Sequence, residues 1–296
     1  MFKKLISIFL MCIIFLYSYT VMAFYKKEAP LIYNKSWAFQ TKANPKENST
    51  QKSASRLQNL DVSKLDRSEK NWFFKPNNKG TPSEIPEDIL KLTNKYSAYY
   101  LGNTSKKVLY LTFDEGYENG YTSKILDILK SNNVPAAFFV TTPYIKANAD
   151  LINRMVKEGH LVCNHSTKHP SMAETAKDPI KFENEFLVTE DAYREVTGKE
   201  MPHFFRPPMG KYSELSLFYT KKLGYKTIFW SFAYNDWNVK RQPSPIESQK
   251  MISRRTHNGA IVLLHAVSKT NSEILDSVIK DWKNQGYTFE SLDKLP

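Results

Sequence analysis

His165 and His169 stand four residues apart in His165-Ser166-Thr167-Lys168-His169. On one helical turn that spacing puts two imidazoles on the same face, where they can grip a divalent cation; two hydrogen-bonded surface histidines fit the pair as well. Asp114-Glu115 offers two carboxylates. A carboxylate would complete a facial triad with positions open for water, and two adjacent acids repel each other unless a cation neutralises one. Taken alone, the pair also reads as an exposed acidic turn before Gly116. The arginine of Arg206-Pro207-Pro208-Met209-Gly210 could hold a carboxylate in a two-pronged hydrogen bond. His265 ends the unbroken apolar run Ala260-Ile261-Val262-Leu263-Leu264, so it emerges from a core at a rim, either as a proton carrier or as a satisfied core histidine. Trp237, beside Asp236, and Tyr234 suit either a sugar pocket or the core.

These residues need a frame that brings them together. From Lys107 onward, short apolar runs alternate with longer segments of helical period, the pattern of strands and helices in a parallel sheet. Strands are expected at 108–113, 136–140, 160–164, 203–206, 227–231, 260–265 and 287–289, with helices at 123–131, 151–158, 181–197, 213–223 and 272–285. Nearly every strand ends in a polar, chemically capable residue. An α/β barrel or a doubly wound sheet collects such residues at the carboxyl ends of its strands.

The rest of the chain bounds the partners. Met1–Ala23 carries Lys3 and Lys4, then an apolar stretch, then Val21-Met22-Ala23, a small-x-small pattern that a signal peptidase could cut. An exported protein is expected, with an uncleaved anchor as the alternative, since the stretch approaches the roughly 20 residues that span a bilayer. Losing this segment removes two lysines and no acids, which lowers the formal charge from +12 to +10. Such basicity suits an anionic partner or a merely solvated surface. No basic and aromatic nucleic-acid module is visible, so outside the membrane the cell wall is favoured. Residues 24–70 read as a flexible linker, most clearly in the Lys-, Asn-, Ser- and Gln-rich stretch from Thr41, and 71–106 as an N-terminal wrap on a domain spanning 107–296. Of two cysteines, Cys12 lies in the export segment. Cys163 reads as a small buried side chain.

Five segments in order, Thr112-Phe113-Asp114-Glu115-Gly116, His165-Ser166-Thr167-Lys168-His169-Pro170, Arg206-Pro207-Pro208-Met209-Gly210, Asp236-Trp237 and Leu263-Leu264-His265, resemble the motifs of the polysaccharide deacetylase family. The resemblance covers roughly 108–296 and implies an α/β fold, a distorted (β/α) barrel, with an N-terminal extension. It implies that Glu115, His165 and His169 hold a divalent metal, zinc, manganese or cobalt, and that Asp114 is the base, oriented by Arg206. Met209 would lend its backbone N–H to the oxyanion, and His265, supported by Asp236, would protonate the leaving amine. Trp237 and Tyr234 would line the sugar site.

Asp114–Thr122, Tyr99–Thr104 and Gln285–Asp293 are similar to a narrower branch that makes muramic δ-lactam in spore cortex. That likeness implies peptidoglycan strands as the partner, and N-acetylmuramic acid already stripped of its peptide by an N-acetylmuramoyl-L-alanine amidase as the substrate. Intact peptidoglycan, chitin or xylan would serve the same machinery. Two departures stand out. Glu115 replaces the usual metal-binding aspartate, which also admits an inactive wall-binding protein, and Met209 replaces the usual aromatic after the paired prolines.

Overall fold

Along the first long strand, Leu109, Leu111 and Phe113 bury on one face and Val108 and Tyr110 on the other, as the period of two in a strand requires. The computed structural model describes residues 55–296, so the export segment and the linker up to residue 54 lie outside the described residues. Among the described residues no helix is long and apolar enough to cross a membrane.

This strand, β3 (Val108–Glu115), is the centre of a parallel sheet. It pairs with β4 (Ala136–Val140), β9 (Ala260–His265) and β10 (Thr288–Phe289). Beyond β4 follow β5 (Leu161–Asn164), β6 (Phe204–Phe205), β8 (Lys226–Ile228) and β2 (Ala98–Tyr99). A parallel bridge from Phe232 to Val262 links the chain after β8 back to β9, so the sheet curls round on itself. The expected α/β distorted barrel is what forms.

The helices α2 (Thr122–Ser131), α3 (Thr142–Ala147), α4 (Ala149–Lys157), α6 (Pro179–Thr197), α7 (Glu214–Lys222), α8 (Pro245–Arg255) and α9 (Lys269–Asn284) accompany the sheet. Ile125, Leu126 and Leu129 of α2 and Ile274, Leu275 and Ile279 of α9 pack against the outer face of β3 and β9. The barrel interior is filled by Tyr110, Phe139, Cys163, Ile228 and Ile261. Cys163 is a free, fully buried thiol, and burial pushes its pKa up. Side chains stop α6 and α7 at their N-termini: Asp178 accepts from the backbone of Ile180 and Lys181, and Ser213 accepts from that of Ser216.

Three expectations change. Residues 55–70 are not a tether. Leu57 is buried in a cluster with Phe182, Phe186 and Tyr219, against which Leu60, Val62 and Leu65 also pack, and Glu183 accepts from Arg56 Nε at 2.6 Å. Four well-spaced apolar side chains suffice to dock a segment that is otherwise polar. The wrap is likewise more than a cover. β1 (Lys70–Asn71) pairs with β7 (Lys211–Tyr212), Trp72 stacks on Phe229 with ring centroids 4.1 Å apart, α1 (Glu87–Lys95) follows, and β2 joins the sheet. Finally α3, α8 and the short α5 (Met172–Thr175) were not anticipated. Pro143 and Pro245 sit at helix starts, where they need no N–H partner, and α8 is too polar for a clear apolar stripe.

Candidate active site

Position along each strand decides which side chains reach the barrel mouth. In β3 the interior face is Tyr110, Thr112, Asp114; in β9 it is Ile261, Leu263, His265. Cys163 continues to His165 after β5, and Arg206 follows β6. These four chemically capable residues therefore converge, and Asp114 and His265 are direct register partners across β3 and β9.

Arg206 is fully buried and organises one side of the site. Its Nη1 donates to Asp114 Oδ1 at 2.7 Å, Nη2 to Thr112 Oγ1 at 2.8 Å and Nε to the Ile228 carbonyl at 3.1 Å. The guanidinium lies 4.1 Å from the centroid of the Phe139 ring. Each of its three nitrogens thereby donates to a fixed partner, so the carboxylate is oriented as well as neutralised. Burial works against the charge on Asp114, but Arg206, His165 and His265 outweigh it and hold its pKa below the usual 3.8.

The carbonyl of Arg206 accepts from His165 Nδ1 at 2.8 Å, which fixes the tautomer and leaves the Nε2 lone pair free, 3.6 Å from Asp114 Oδ2. His165 and His169 do not lie on a helical turn, as their spacing suggested. They flank a loop in which Ser166 and His169 adopt left-handed backbone (φ 67° and 57°), with ring centroids 4.9 Å apart at 72°. Glu185 of α6 holds this loop by accepting from the backbones of Thr167 and Lys168, each at 2.9 Å. Burial, only partly offset by Asp114, lowers the pKa of His165 to about 4, and burial also lowers that of His169. Both rings are neutral at pH 7 with lone pairs to give.

On the opposite side, buried Asp236 accepts from His265 Nδ1 at 2.7 Å and from the His265 backbone N–H at 2.8 Å. Asn271 Nδ2 donates to the same carboxylate at 2.6 Å, and the Tyr234 hydroxyl donates to Asn271 Oδ1. Burial pushes the His265 pKa down, but the charge and hydrogen bond of Asp236, with help from Asp114, raise it above 6.5. Asp236 thus favours the imidazolium form, and Nε2 is the ring nitrogen left for the cleft.

Glu115 does not join its expected partners. It has the outward parity of Phe113, is fully buried, and accepts from Thr122 Oγ1 at 3.2 Å, beside Tyr144 and Glu118. Its Oε2 is buried without a partner. Burial first, then the neighbouring charges of Glu118 and Asp114, push its pKa well above 4.5. Among the described residues no three His, Cys, Asp or Glu side chains form a metal cage. The donor chemistry of His165 and His169 fits a divalent cation; Glu115 lies outside the cleft that these two line, on the Thr122 side of β3.

A cleft of about 1080 Å³ opens over these groups, lined by Asp114, His165, His169 and His265 and walled by Met209, Tyr234 and Trp237. Met209 sits in a 3₁₀ turn (Pro208–Gly210) with φ 58°, a left-handed conformation costing a β-carbon-bearing residue about 1–2 kcal/mol. Thr112, Glu185, Gln242 and Asn271 support the site and were missed. Only Thr112, two residues before Asp114 on the same strand face, carried a signal.

A polysaccharide deacetylase family model matches residues 101–228. The chain is 46% identical over 225 residues to the peptidoglycan-N-acetylmuramic acid deacetylase PdaA of Bacillus subtilis, covering 76% of this chain and 85% of that one. The solved structure of B. subtilis PdaA, a family 4 carbohydrate esterase, superposes with a TM-score of 0.74 at 43% identity, covering 77% of this chain and 97% of that chain. A family 4 carbohydrate esterase from Bacillus anthracis superposes with a TM-score of 0.66 at 40% identity, covering 78% and 97%. With its strand-end motifs gathered in one cleft, this chain belongs to the polysaccharide deacetylase family.

Proposed function

We propose that this protein removes the N-acetyl group from N-acetylmuramic acid in peptidoglycan strands, outside the cytoplasmic membrane. Strands already stripped of stem peptide by an N-acetylmuramoyl-L-alanine amidase are its substrate, and the product supplies muramic δ-lactam in spore cortex. The observation that carries the reading is the pairing of Asp114 with His265 on adjacent strands, one whose carboxylate is stabilised by Arg206 and the other whose imidazolium form is favoured by Asp236. Amide hydrolysis needs both, because water must lose a proton to attack and the amine must gain one to leave.

Asp114 takes the proton from the attacking water as its oxygen bonds to the acetyl carbon. The backbone N–H of Met209 donates to the carbonyl oxygen as charge develops there. His265 then gives the proton on Nε2 to the sugar nitrogen, the C–N bond breaks, and acetate and a free amino sugar leave. His165 and His169 would hold a divalent cation, and the chemistry it would supply is Lewis-acid polarisation of the acetyl carbonyl. Trp237, Tyr234 and Met209 form the wall against which the sugar ring packs.

Mass spectrometry of glycan strands treated with the metal-supplemented protein, with and without prior amidase digestion, tests this. The expected result is acetyl loss from muramic acid in peptide-free strands alone. Acetyl loss from glucosamine or from peptide-bearing strands would reassign the substrate, and no loss at all would favour a wall-binding protein.

A further inference from the structure

We infer that Lys240 selects the substrate by reading the free lactyl carboxylate of muramic acid. This rests on the proposed reaction and adds to it the group that distinguishes peptide-free from peptide-bearing strands. Lys240 is the one lysine or arginine among the described residues lining the cleft. It is exposed, and no carboxylate pairs with it among the described residues. A cation left unpaired at the mouth of a cleft, whose floor already holds its own charges in pairs, is free to meet a charge on the ligand.

Its position is fixed relative to the proton donor. Gln242 Nε2 donates to the carbonyls of Asp236 at 2.8 Å and Asn238 at 2.9 Å, and Asn238 Oδ1 accepts from the Lys240 backbone N–H at 3.1 Å. The turn bearing Lys240 is therefore tied to the same Asp236 that grips His265. In muramic acid the reacting nitrogen is on C2 and the lactyl ether on C3, the adjacent ring carbon. A ring that presents its C2 nitrogen to His265 brings its C3 substituent within range of the flexible lysine stem. Once the stem peptide is gone the lactyl group ends in a carboxylate; with the peptide attached it ends in a neutral amide, and the charge Lys240 would meet there is absent.

The test compares kcat/KM on two peptide-free strands, one with the lactyl carboxylate intact and one with it reduced to the alcohol. The full chain should prefer the carboxylate by about tenfold or more, as a charge-assisted contact implies. In Lys240→Met that preference should collapse toward unity, mainly through KM, and Lys240→Arg should keep most of it. An unchanged preference in Lys240→Met, or wild-type protein that turns over both strands equally, overturns the inference and leaves the reaction standing. Wild-type protein that deacetylates glucosamine but no muramic acid overturns the substrate reading itself, and the inference with it.

Discussion

Asp236 grips His265 twice, through Nδ1 at 2.7 Å and through the backbone N–H at 2.8 Å, so one buried carboxylate sets the ring's orientation and its proton affinity together. Because the folded protein keeps the His265 proton above the ordinary value of 6.5, this interaction stabilises fully below that value and fades as pH rises through the folded pKa. Asp236→Asn should therefore cost about 1.5–3 kcal/mol at about pH 6 and visibly less at about pH 9, by denaturant titration. The same variant should move the basic limb of the kcat/KM profile to lower pH. A limb that stays in place would remove His265 as the group that titrates there.

The buried pair of Arg206 and Asp114 predicts different outcomes for its two halves. Asp114→Asn keeps the shape and an acceptor for Arg206 but leaves the buried guanidinium without its counter-charge, so it should lose turnover on the order of 10²–10⁴-fold and lower stability as well, though less than the loss of the arginine does. Arg206→Met leaves the carboxylate in a site built for a cation and should cost about 3–5 kcal/mol of stability. Thermal melts beside initial rates separate the two.

Glu115 supplies the sharpest correction to expectation. Its folded pKa lies well above 4.5, so the folded state holds a proton that the unfolded chain releases as pH rises. That penalises folding increasingly above pH 4.5. Glu115→Gln should be more stable than wild type at neutral pH, with the gain vanishing as pH falls below 4.5. Metal content by plasma mass spectrometry should be unchanged in Glu115→Gln and lost in His165→Gln. Loss of metal in both would return Glu115 to the ligand set.

The contrast between Asp114 and Glu115 also shows where reading the residues alone reached its limit. The motifs named the strand-end residues in order, and β4 and β9 appear with their anticipated bounds. Side-chain parity along β3 was equally legible: Leu111 and Phe113 face the helices, so the next residue on that face is Glu115. Distances such as that between Gln242 and Asp236, or between Glu185 and the His165–His169 loop, depend on loops whose path no periodicity encodes. Left-handed backbone at Ser166 and His169 goes with local hydrogen bonds, from the Ser166 N–H to Asn164 Oδ1 and from the His169 N–H to Ser166 Oγ, which no apolar period encodes.

Residues 55–66 form a clasp whose energy resides in few side chains. Leu57 is 1% exposed among aromatic rings, and its truncation leaves a cavity. Leu57→Ala should lower stability by about 2–4 kcal/mol, measured by urea titration, while kcat changes little because the clasp is remote from the cleft lining.

Trp237 and Met209 are 57% and 54% exposed at the cleft, so neither contributes much burial to the fold. Large apolar groups left at a functional mouth are useful when a ligand covers them. Trp237→Ala should therefore raise KM by roughly three- to tenfold, the worth of one stacked aromatic face, with no change in melting temperature. Met209→Gly tests the same wall through its backbone. Glycine accepts the φ of 58° without strain, so the variant should melt at or above the wild-type temperature and yet bind the sugar less tightly. A loss of stability in Met209→Gly would show that the thioether packs for the fold, and the wall would then rest on Trp237 and Tyr234.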